Sequence, residues 1–298
     1  MTQIISVITR EYVLLVSDRL LTYVSGPRAG EVFKDEECKL VSLCHTCGIG
    51  YTGLARLGGR PTHEWIAITL ARANCHTAGE ASELLITSAP AALPSVDVKL
   101  RRQTFVIAGW AHFGEVPTLR SHICVVSNCL GENLEQLTHP QPAFRRRIRT
   151  LQDHEDVSHF VVGQPVAADR TVQLERNLRR LAARDIGQRE ALRLLVAEIF
   201  ATHSTESSVG DKVLAFCIPR TSIESQIKSG HTRLSGVPPH SRASTFSYFD
   251  RDYNEHLQHG PTVVCGQFAA TDLKYENDPT KPLQSVQLRM LHAPQLET

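Results

Sequence analysis

The sequence has no apolar run of the roughly 18–20 residues that a membrane-spanning helix needs. It also lacks the charged, apolar and small-residue regions of a signal peptide, because Arg10 and Glu11 interrupt the first apolar stretch. These absences predict a soluble, cytoplasmic protein with no membrane partner. In that compartment the eight cysteines are expected to be mostly reduced, and several lie in apolar runs where cysteine acts as a small hydrophobic residue.

The chain has no excess of charge of either sign. Its 32 Lys and Arg residues are balanced by 31 Asp and Glu residues, which leaves a formal net charge of +1. Such a balance gives no electrostatic basis for binding nucleic acid as a bulk partner. The basic cluster at 145–149 is therefore interpreted as a solvated loop or a contact to an acidic neighbour rather than as an RNA site.

Motifs for metals and phosphates are also missing. The histidines form no H-E-x-x-H pattern, and the glycine-rich "RLGGR" is not followed by G-K-[ST]. The "CHTC" stretch, Cys44 to Cys47, raises a metal or redox hypothesis, but a structural zinc site needs four ligands. A redox C-x-x-C normally opens a helix, whereas this one lies in a strand-like run whose alternation would point its two cysteines to opposite faces. We predict neither a metal nor a cofactor.

Strand and helix patterns alternate along the chain in pairs. Two β-rich runs, 3–9 and 12–17, are joined at Arg10-Glu11 and predict a hairpin. The remaining predictions are strand character over 39–55, helices over 61–75 and 79–88 (the second ending before Pro90), strands over 104–113, 119–128 and 158–163, helices over 170–184 and 187–203, and a strand over 211–219.

This order favours a particular fold class. Paired strands that alternate with paired helices suggest two antiparallel sheets between helix layers, an α+β four-layer αββα sandwich, rather than a parallel βαβ sheet. We assign residues 1–220 to this domain. Residues 221–298 are interpreted as a C-terminal extension that is partly β, with a flexible loop at 228–243 and strand candidates near 244–250, 261–269 and 284–291.

The second residue of the chain carries the main chemical hypothesis. If Met1 is removed, Thr2 bears a hydroxyl and a free α-amine on one residue, and the amine, with an ordinary pKa near ~8, can accept the hydroxyl proton. A nearby lysine and aspartate would complete the arrangement. The alternative is that Thr2 is only the second residue, since every protein has one. Three further residues are considered with Thr2, and each of them, taken alone, also has an ordinary structural explanation. Asp18 could cap a turn, Lys39 could be a solvated strand-edge lysine, and Gly53 could mark a bulge.

Four features follow at intervals that resemble a known family. "DRLLT" begins at Asp18, "KL" begins at Lys39, and "YTGLA" places Gly53 fourteen residues after Lys39. This pattern resembles the proteasome β-subunit family of N-terminal-nucleophile (Ntn) hydrolases, including its bacterial relatives, over roughly residues 2–219. The resemblance implies that Thr2 is the nucleophile and base, that Asp18 and Lys39 complete the triad, and that the Gly53 N–H forms the oxyanion hole.

Further roles follow from the same resemblance. It implies that the "LT" stretch, Leu21 and Thr22, binds an extended substrate by strand addition. The sequence departs from the family at "VVGQP", where Gly163 is followed by Gln164 instead of serine, and at "HSTESSVGD", where Ser204 stands where an acid is expected. In the second stretch Ser207 stands where the family has its serine, and the resemblance makes it a further candidate catalytic residue. The connection from Asp18 to Lys39 is also longer, and Lys34 within it is a competing candidate for the catalytic lysine.

The resemblance implies a threonine peptidase that cleaves amide bonds through a Thr2 ester and assembles into a homo-oligomeric ring or a smaller open assembly. An unfoldase ATPase partner is left undefined. Two alternatives stay open. One is a proteasome-like scaffold that does not hydrolyse substrate, which the departures at Gln164 and Ser204 favour. The other is a small-molecule amidase of the same superfamily.

Overall fold

The computed structural model describes residues 2–23, 27–34, 37–95, 97–113, 118–182, 187–221, 223–224, 245–250, 255–256, 262–274 and 287–293. Within these ranges the chain is mixed α and β, with two large sheets and four α-helices. The helices are α1 (Thr62–Arg72), α2 (Ala78–Ala92), α3 (Ala168–Ala182) and α4 (Gly187–His203). None of the helices in the described ranges is long and apolar enough to cross a membrane.

Eighteen strands are seen in the described residues. In chain order they are β1 (Gln3–Thr9), β2 (Tyr12–Asp18), β3 (Leu21–Thr22), β4 (Val32–Lys34), β5 (Leu40–Leu43), β6 (Cys47–Gly53), β7 (Arg56–Leu57), β8 (Arg60–Pro61), β9 (Gln103–Phe113), β10 (Thr118–Ser127), β11 (Arg145–Thr150), β12 (Val157–Gly163), β13 (Val213–Pro219), β14 (Thr245–Phe249), β15 (Glu255–His256), β16 (Thr262–Cys265), β17 (Phe268–Lys274) and β18 (Gln287–His292).

The first sheet has the strand order β12-β1-β2-β13-β14-β15. The predicted hairpin at Arg10-Glu11 is confirmed, because β1 and β2 pair antiparallel with Ile4 opposite Ser17 and Ile8 opposite Val13. Every residue of both strands is buried, which explains why their sequence is almost continuously apolar rather than alternating. This hairpin fixes Asp18 at the end of β2, beside the start of β1.

The second sheet has the order β11-β10-β9-β6-β5-β16-β17-β18. Helices α1 and α2 contact this sheet, while α3 and α4 contact the first. Alternate residues of β9 pack into two different hydrophobic cores. Phe105 and Ile107 pack with α1 and α2, whereas Val106 and Ala108 pack against strands of the first sheet. The two sheets therefore face each other across a core, and each has a helix pair packed against it.

Strands after residue 220 join both sheets. β14 pairs with β13 in the first sheet, and β16 pairs parallel with β5 in the second, with Val264 opposite Leu43. The boundary at residue 220/221 stays a prediction, and the predicted loop at 228–243 lies outside the described residues. The strands seen here nevertheless place part of the C-terminal segment within the hydrogen-bonded framework.

Two expectations about elements were wrong, and of the two alternatives for the basic cluster only the acidic contacts are confirmed. Helix α2 runs through Pro90 to Ala92, so the helix tolerates the one hydrogen bond that Pro90 cannot donate and ends two residues later. Strand character over 39–55 is interrupted by a turn at Cys44 and His45, both with left-handed φ values of 48° and 57°. The basic cluster at 145–149 is strand β11 rather than a loop, although its expected acidic contacts exist, to Glu83, Glu132 and Glu155.

Candidate active site

Three side chains that the sequence analysis singled out meet where the two sheets approach each other. Thr2 directly precedes β1 and Asp18 ends β2, so the hairpin register sets them side by side. Lys39 directly precedes β5 of the other sheet and extends to both. The hairpin thus supplies two of the three groups through local pairing, while the third arrives only through packing of one sheet on the other.

The Lys39 ammonium group uses its three hydrogen-bond donors within this cluster. Lys39 Nζ donates to Thr2 Oγ1 at 2.8 Å, to Asp18 Oδ2 at 3.0 Å and to the Leu20 carbonyl at 2.5 Å. Lys39 and Asp18 are fully buried, and Thr2 is 7% exposed. Since an ammonium has three N–H groups, this geometry fixes its position and aims one of its donors at the threonine hydroxyl.

Asp18 is held from several directions at once. Its Oδ1 accepts from the Gln3 N–H at 2.8 Å, and its Oδ2 accepts from the N–H groups of Leu20 and Gly210, each at 3.1 Å, in addition to Lys39. Backbone donors of this kind stabilise the charged carboxylate. The Asp18 carboxylate is therefore held in one position, against which Lys39 is oriented.

In its buried environment, Lys39 loses its proton more readily than a lysine in water does. Burial lowers the pKa of Lys39 from its usual 10.5, and the Asp18 carboxylate opposes that change. A lysine with a lowered pKa is closer to exchanging a proton with a neighbouring hydroxyl near neutral pH. The arrangement can thus hold Thr2 Oγ1 in one orientation and lower the cost of a negative charge on it.

Gly163 and Gln164, of which Gln164 departs from the family pattern, lie against the backbone of Thr2. The Gln164 N–H donates to the Thr2 carbonyl at 2.8 Å, and the Gln3 side-chain amide donates to the Gln164 carbonyl at 3.1 Å. Gly163 has φ +87°, and a Cβ atom there would lie 1.8 Å from the Thr2 carbonyl oxygen. Glycine is therefore required at this position by both conformation and space.

We expect Gly163→Ala to displace Thr2 and to lower the free energy of unfolding by more than the backbone strain of an alanine at a left-handed φ would. Gly59→Ala is the matched control, because Gly59 also has a left-handed φ, +76°, but has nothing within 4 Å of its Cβ position. The control should lower the free energy of unfolding by ~1–2 kcal/mol, and the Gly163 variant by clearly more. Urea titrations measure both. Equal losses would show that the contact with Thr2 does not constrain this site.

Gly53 lies at the end of β6 and is exposed, with φ +113°. The hydroxyl of the preceding residue, Thr52, is 3.3 Å from the Cβ position of Gly163, so this strand end lies on the Thr2 side of the sheet. Its left-handed conformation and the approach of the Arg102 carbonyl, 2.1 Å from a Cβ, require glycine. Its role as an oxyanion donor stays a prediction.

Leu21 and Thr22 form β3 immediately after the Leu20 carbonyl that accepts from Lys39. β3 pairs with β4 of the same connection, Leu21 opposite Lys34 and Thr22 opposite Val32. In the part of the chain that the structure describes, the other edge of β3 carries no strand. The connection from Asp18 to Lys39 therefore contains a short hairpin, β3 and β4, which begins at the candidate site. Its Val32 and Phe33 are about half exposed, at 54% and 53%.

Ser207 does not join the buried group. Its side chain is exposed, in the turn where the Val209 N–H donates to the Glu206 carbonyl. The residue of this segment that reaches Asp18 is Gly210, whose close fit leaves a Cβ only 2.8 Å from the Leu20 Cβ. Sequence reasoning overlooked Gly210; the only available signal was a glycine just before the last predicted strand of the domain.

A second buried carboxylate, Glu37, was also missed. Its N–H donates to the Arg19 carbonyl at 2.9 Å, and its carboxylate contacts His63 Nδ1 and Lys34 Nζ, each at 2.7 Å. Burial raises the pKa of Glu37, but the hydrogen bonds and charges of His63 and Lys34 outweigh burial and lower it overall. Lys34, the competing lysine candidate, therefore supports the segment that leads to Lys39 and is 51% exposed.

Comparisons with known proteins do not assign a family. No family model matches the sequence, and no curated protein matches it. One similar solved structure is an Anbu (Gly-1) mutant from Hyphomicrobium sp. strain MC1, with a TM-score of 0.44 and 13% sequence identity. The alignment covers 72% of this chain and 82% of that chain. At this level of similarity, the functional inference depends on the geometry around Thr2.

Proposed function

We propose that this protein is a threonine-type Ntn hydrolase of the proteasome β-subunit kind, which cleaves peptide amide bonds after removal of Met1. The observation that carries the proposal is the 2.8 Å contact between Lys39 Nζ and Thr2 Oγ1, with Lys39 paired to a buried Asp18. The corresponding fold is the αββα sandwich. Support for it comes from the two sheets that face each other and from the helix pair packed on each.

The chemistry needs few groups. Thr2 Oγ1 attacks the substrate carbonyl, and the α-amine freed by loss of Met1 accepts the hydroxyl proton and returns it to the leaving amine. Lys39 stabilises the oxygen during attack, and the Gly53 N–H is proposed to stabilise the oxyanion. Water then hydrolyses the Thr2 ester, which releases the acid and restores the hydroxyl. No cofactor takes part in this scheme.

An extended peptide is the substrate class that the surroundings favour. The open edge of β3 begins at Leu21, directly after Leu20, whose carbonyl accepts a hydrogen bond from Lys39. A peptide strand added at Leu21 and Thr22 would place its backbone beside Thr2 through main-chain hydrogen bonds. The assembly proposed for the protein is a homo-oligomeric ring or an open oligomer located in the cytoplasm.

A second candidate is a proteasome-like scaffold that does not hydrolyse peptides. The specific observation in its favour is that Ser207 is exposed and that Gln164 stands beside Thr2 where the family has a serine. A scaffold would still need the buried Asp18–Lys39 pair for stability. It would not need a free α-amine on Thr2.

Intact mass spectrometry of the purified protein tests the proposal. We expect loss of the Met1 mass and, after treatment with an epoxyketone or β-lactone, one adduct that is absent in Thr2→Ala. Thr87→Ala, a change on the exposed face of α2, is the control and should retain the adduct. Retained Met1 with no adduct would overturn the hydrolase proposal and leave the scaffold. An adduct on a protein that turns over small amides but no peptide would indicate an amidase.

A further inference from the structure

A second group of reactive side chains lies at the turn between β5 and β6. The parallel pairing of β5 with β16 sets Leu43 opposite Val264, and the next residues along these strands are Cys44 and Cys265. The pairing continues there, since the Cys44 N–H donates to the Val264 carbonyl at 2.8 Å. Neighbouring strands lie ~4.8 Å apart, within the Cα separation that a disulfide spans. This pairing sets Cys44 and Cys265 side by side on neighbouring strands.

The surroundings of Cys44 differ from those of the other cysteines. Cys44 and Cys265 are partly exposed, and His76 Nδ1 is 3.8 Å from Cys44 Sγ. A hydrogen bond from the Cys265 thiol lowers the pKa of Cys44 to about 6; burial opposes this, while the Gly266 N–H and His76 lower it further. The pKa of Cys265 is raised. Cys44 is thus the more acidic of the two thiols.

The backbone holds Cys44 at this position. Cys44 and His45 both adopt left-handed φ values, which are uncommon for residues other than glycine and in particular for cysteine. Such conformations persist where surrounding structure determines them and they cluster at functional sites. Cys47, across the turn, is fully buried in the core beneath α1, and Cys75 is buried with its thiol donating to the Thr77 carbonyl. Neither is placed to be the first thiol that an oxidant reaches.

We propose that Cys44 and Cys265 form a thiol–disulfide site that reacts with hydroperoxides, with Cys44 as the attacking thiol and Cys265 as the resolving thiol. The Cys44 thiolate attacks hydrogen peroxide, the O–O bond breaks, a proton is taken up, and Cys44 sulfenic acid and water are formed. The Cys265 thiol then attacks the sulfenic sulfur, forms the S–S bond and releases a second water. Two electrons pass from the two thiols to one peroxide. The product joins β5, which begins directly after Lys39, to the C-terminal segment.

Peptide mapping of the full chain without reduction tests the site. After one equivalent of hydrogen peroxide, we expect a single major disulfide between the peptides of Cys44 and Cys265, with loss of two hydrogen atoms. In Cys265→Ser a sulfenic-acid probe such as dimedone should label Cys44, whereas in Cys44→Ser it should not label Cys265. Alkylation of Cys44 by iodoacetamide in the unmodified protein should have its pH midpoint at about 6, well below those of the buried cysteines.

Cys75→Ser is the matched control, because Cys75 belongs to the same cluster and its carbonyl lies 4.0 Å from Cys44 Sγ. This variant should form the Cys44–Cys265 bond at the same rate as the unmodified protein. A disulfide from Cys44 to Cys75 or Cys47, a first sulfenic acid on another cysteine, or no oxidation under these conditions would overturn the proposal. The reaction uses none of the residues around Thr2, so its outcome is independent of the hydrolase test.

Discussion

Lys39→Met is expected to abolish hydrolysis and to lower the free energy of unfolding by ~3–5 kcal/mol. Methionine keeps most of the side-chain length but removes the three N–H donors that bind Thr2, Asp18 and Leu20. The Asp18 carboxylate is then left fully buried without a cation, which is the costly way to break a buried ion pair. Urea unfolding and hydrolysis of a fluorogenic peptide amide measure the two effects.

Lys34→Met is the control for this substitution. Lys34 is half exposed, and its partner Glu37 keeps its contact with His63, so the stability loss should stay below ~1 kcal/mol. Activity should remain, since Lys34 makes no hydrogen bond to Thr2 or Asp18 among the described residues. If Lys34→Met were inactive and Lys39→Met active, the roles given to the two lysines would be wrong.

Thr2→Val is expected to reduce hydrolysis by ~10⁴-fold or more, as removal of a catalytic nucleophile commonly does. Valine matches threonine in size and still permits removal of Met1, so the lost group is the hydroxyl alone. One Lys39 donor loses its acceptor, which costs ~1–3 kcal/mol of stability, while the Asp18 pair stays intact. Activity should therefore fall far more than stability.

Thr2→Ser provides the contrast, because serine keeps both the hydroxyl and the α-amine after Met1 is removed. We expect it to retain measurable hydrolysis and the mass adduct, whereas Thr2→Val shows neither. Circular dichroism of both variants should match that of the unmodified protein. Full peptide hydrolysis by Thr2→Val would contradict a nucleophilic role for this residue and would place the reaction elsewhere.

Several features of the fold could be predicted because they depend on local pattern. The β1–β2 hairpin follows from two apolar runs around Arg10-Glu11, and α4 follows from apolar residues repeating at helical spacing. The turn at Cys44 and His45 could not be predicted, because cysteine is not typical of left-handed conformations and the flanking residues are apolar and strand-like. The pairing of β16 with β5 was equally inaccessible, since a parallel contact over more than 200 residues leaves no local signal.

By itself, the sequence determined which residues are candidates for chemistry near Thr2 and how the hairpin aligns Asp18 with it, because hairpin register depends on neighbouring residues and a short turn. Only the tertiary structure decided that Lys39, rather than Lys34, reaches Thr2 Oγ1, that Gly210 rather than Ser207 contacts Asp18, and that Cys265 adjoins Cys44. These contacts form where the sheets pack or where distant strands pair. Their geometry is set by burial and hydrogen bonding across the whole chain, which spacing along the sequence does not encode.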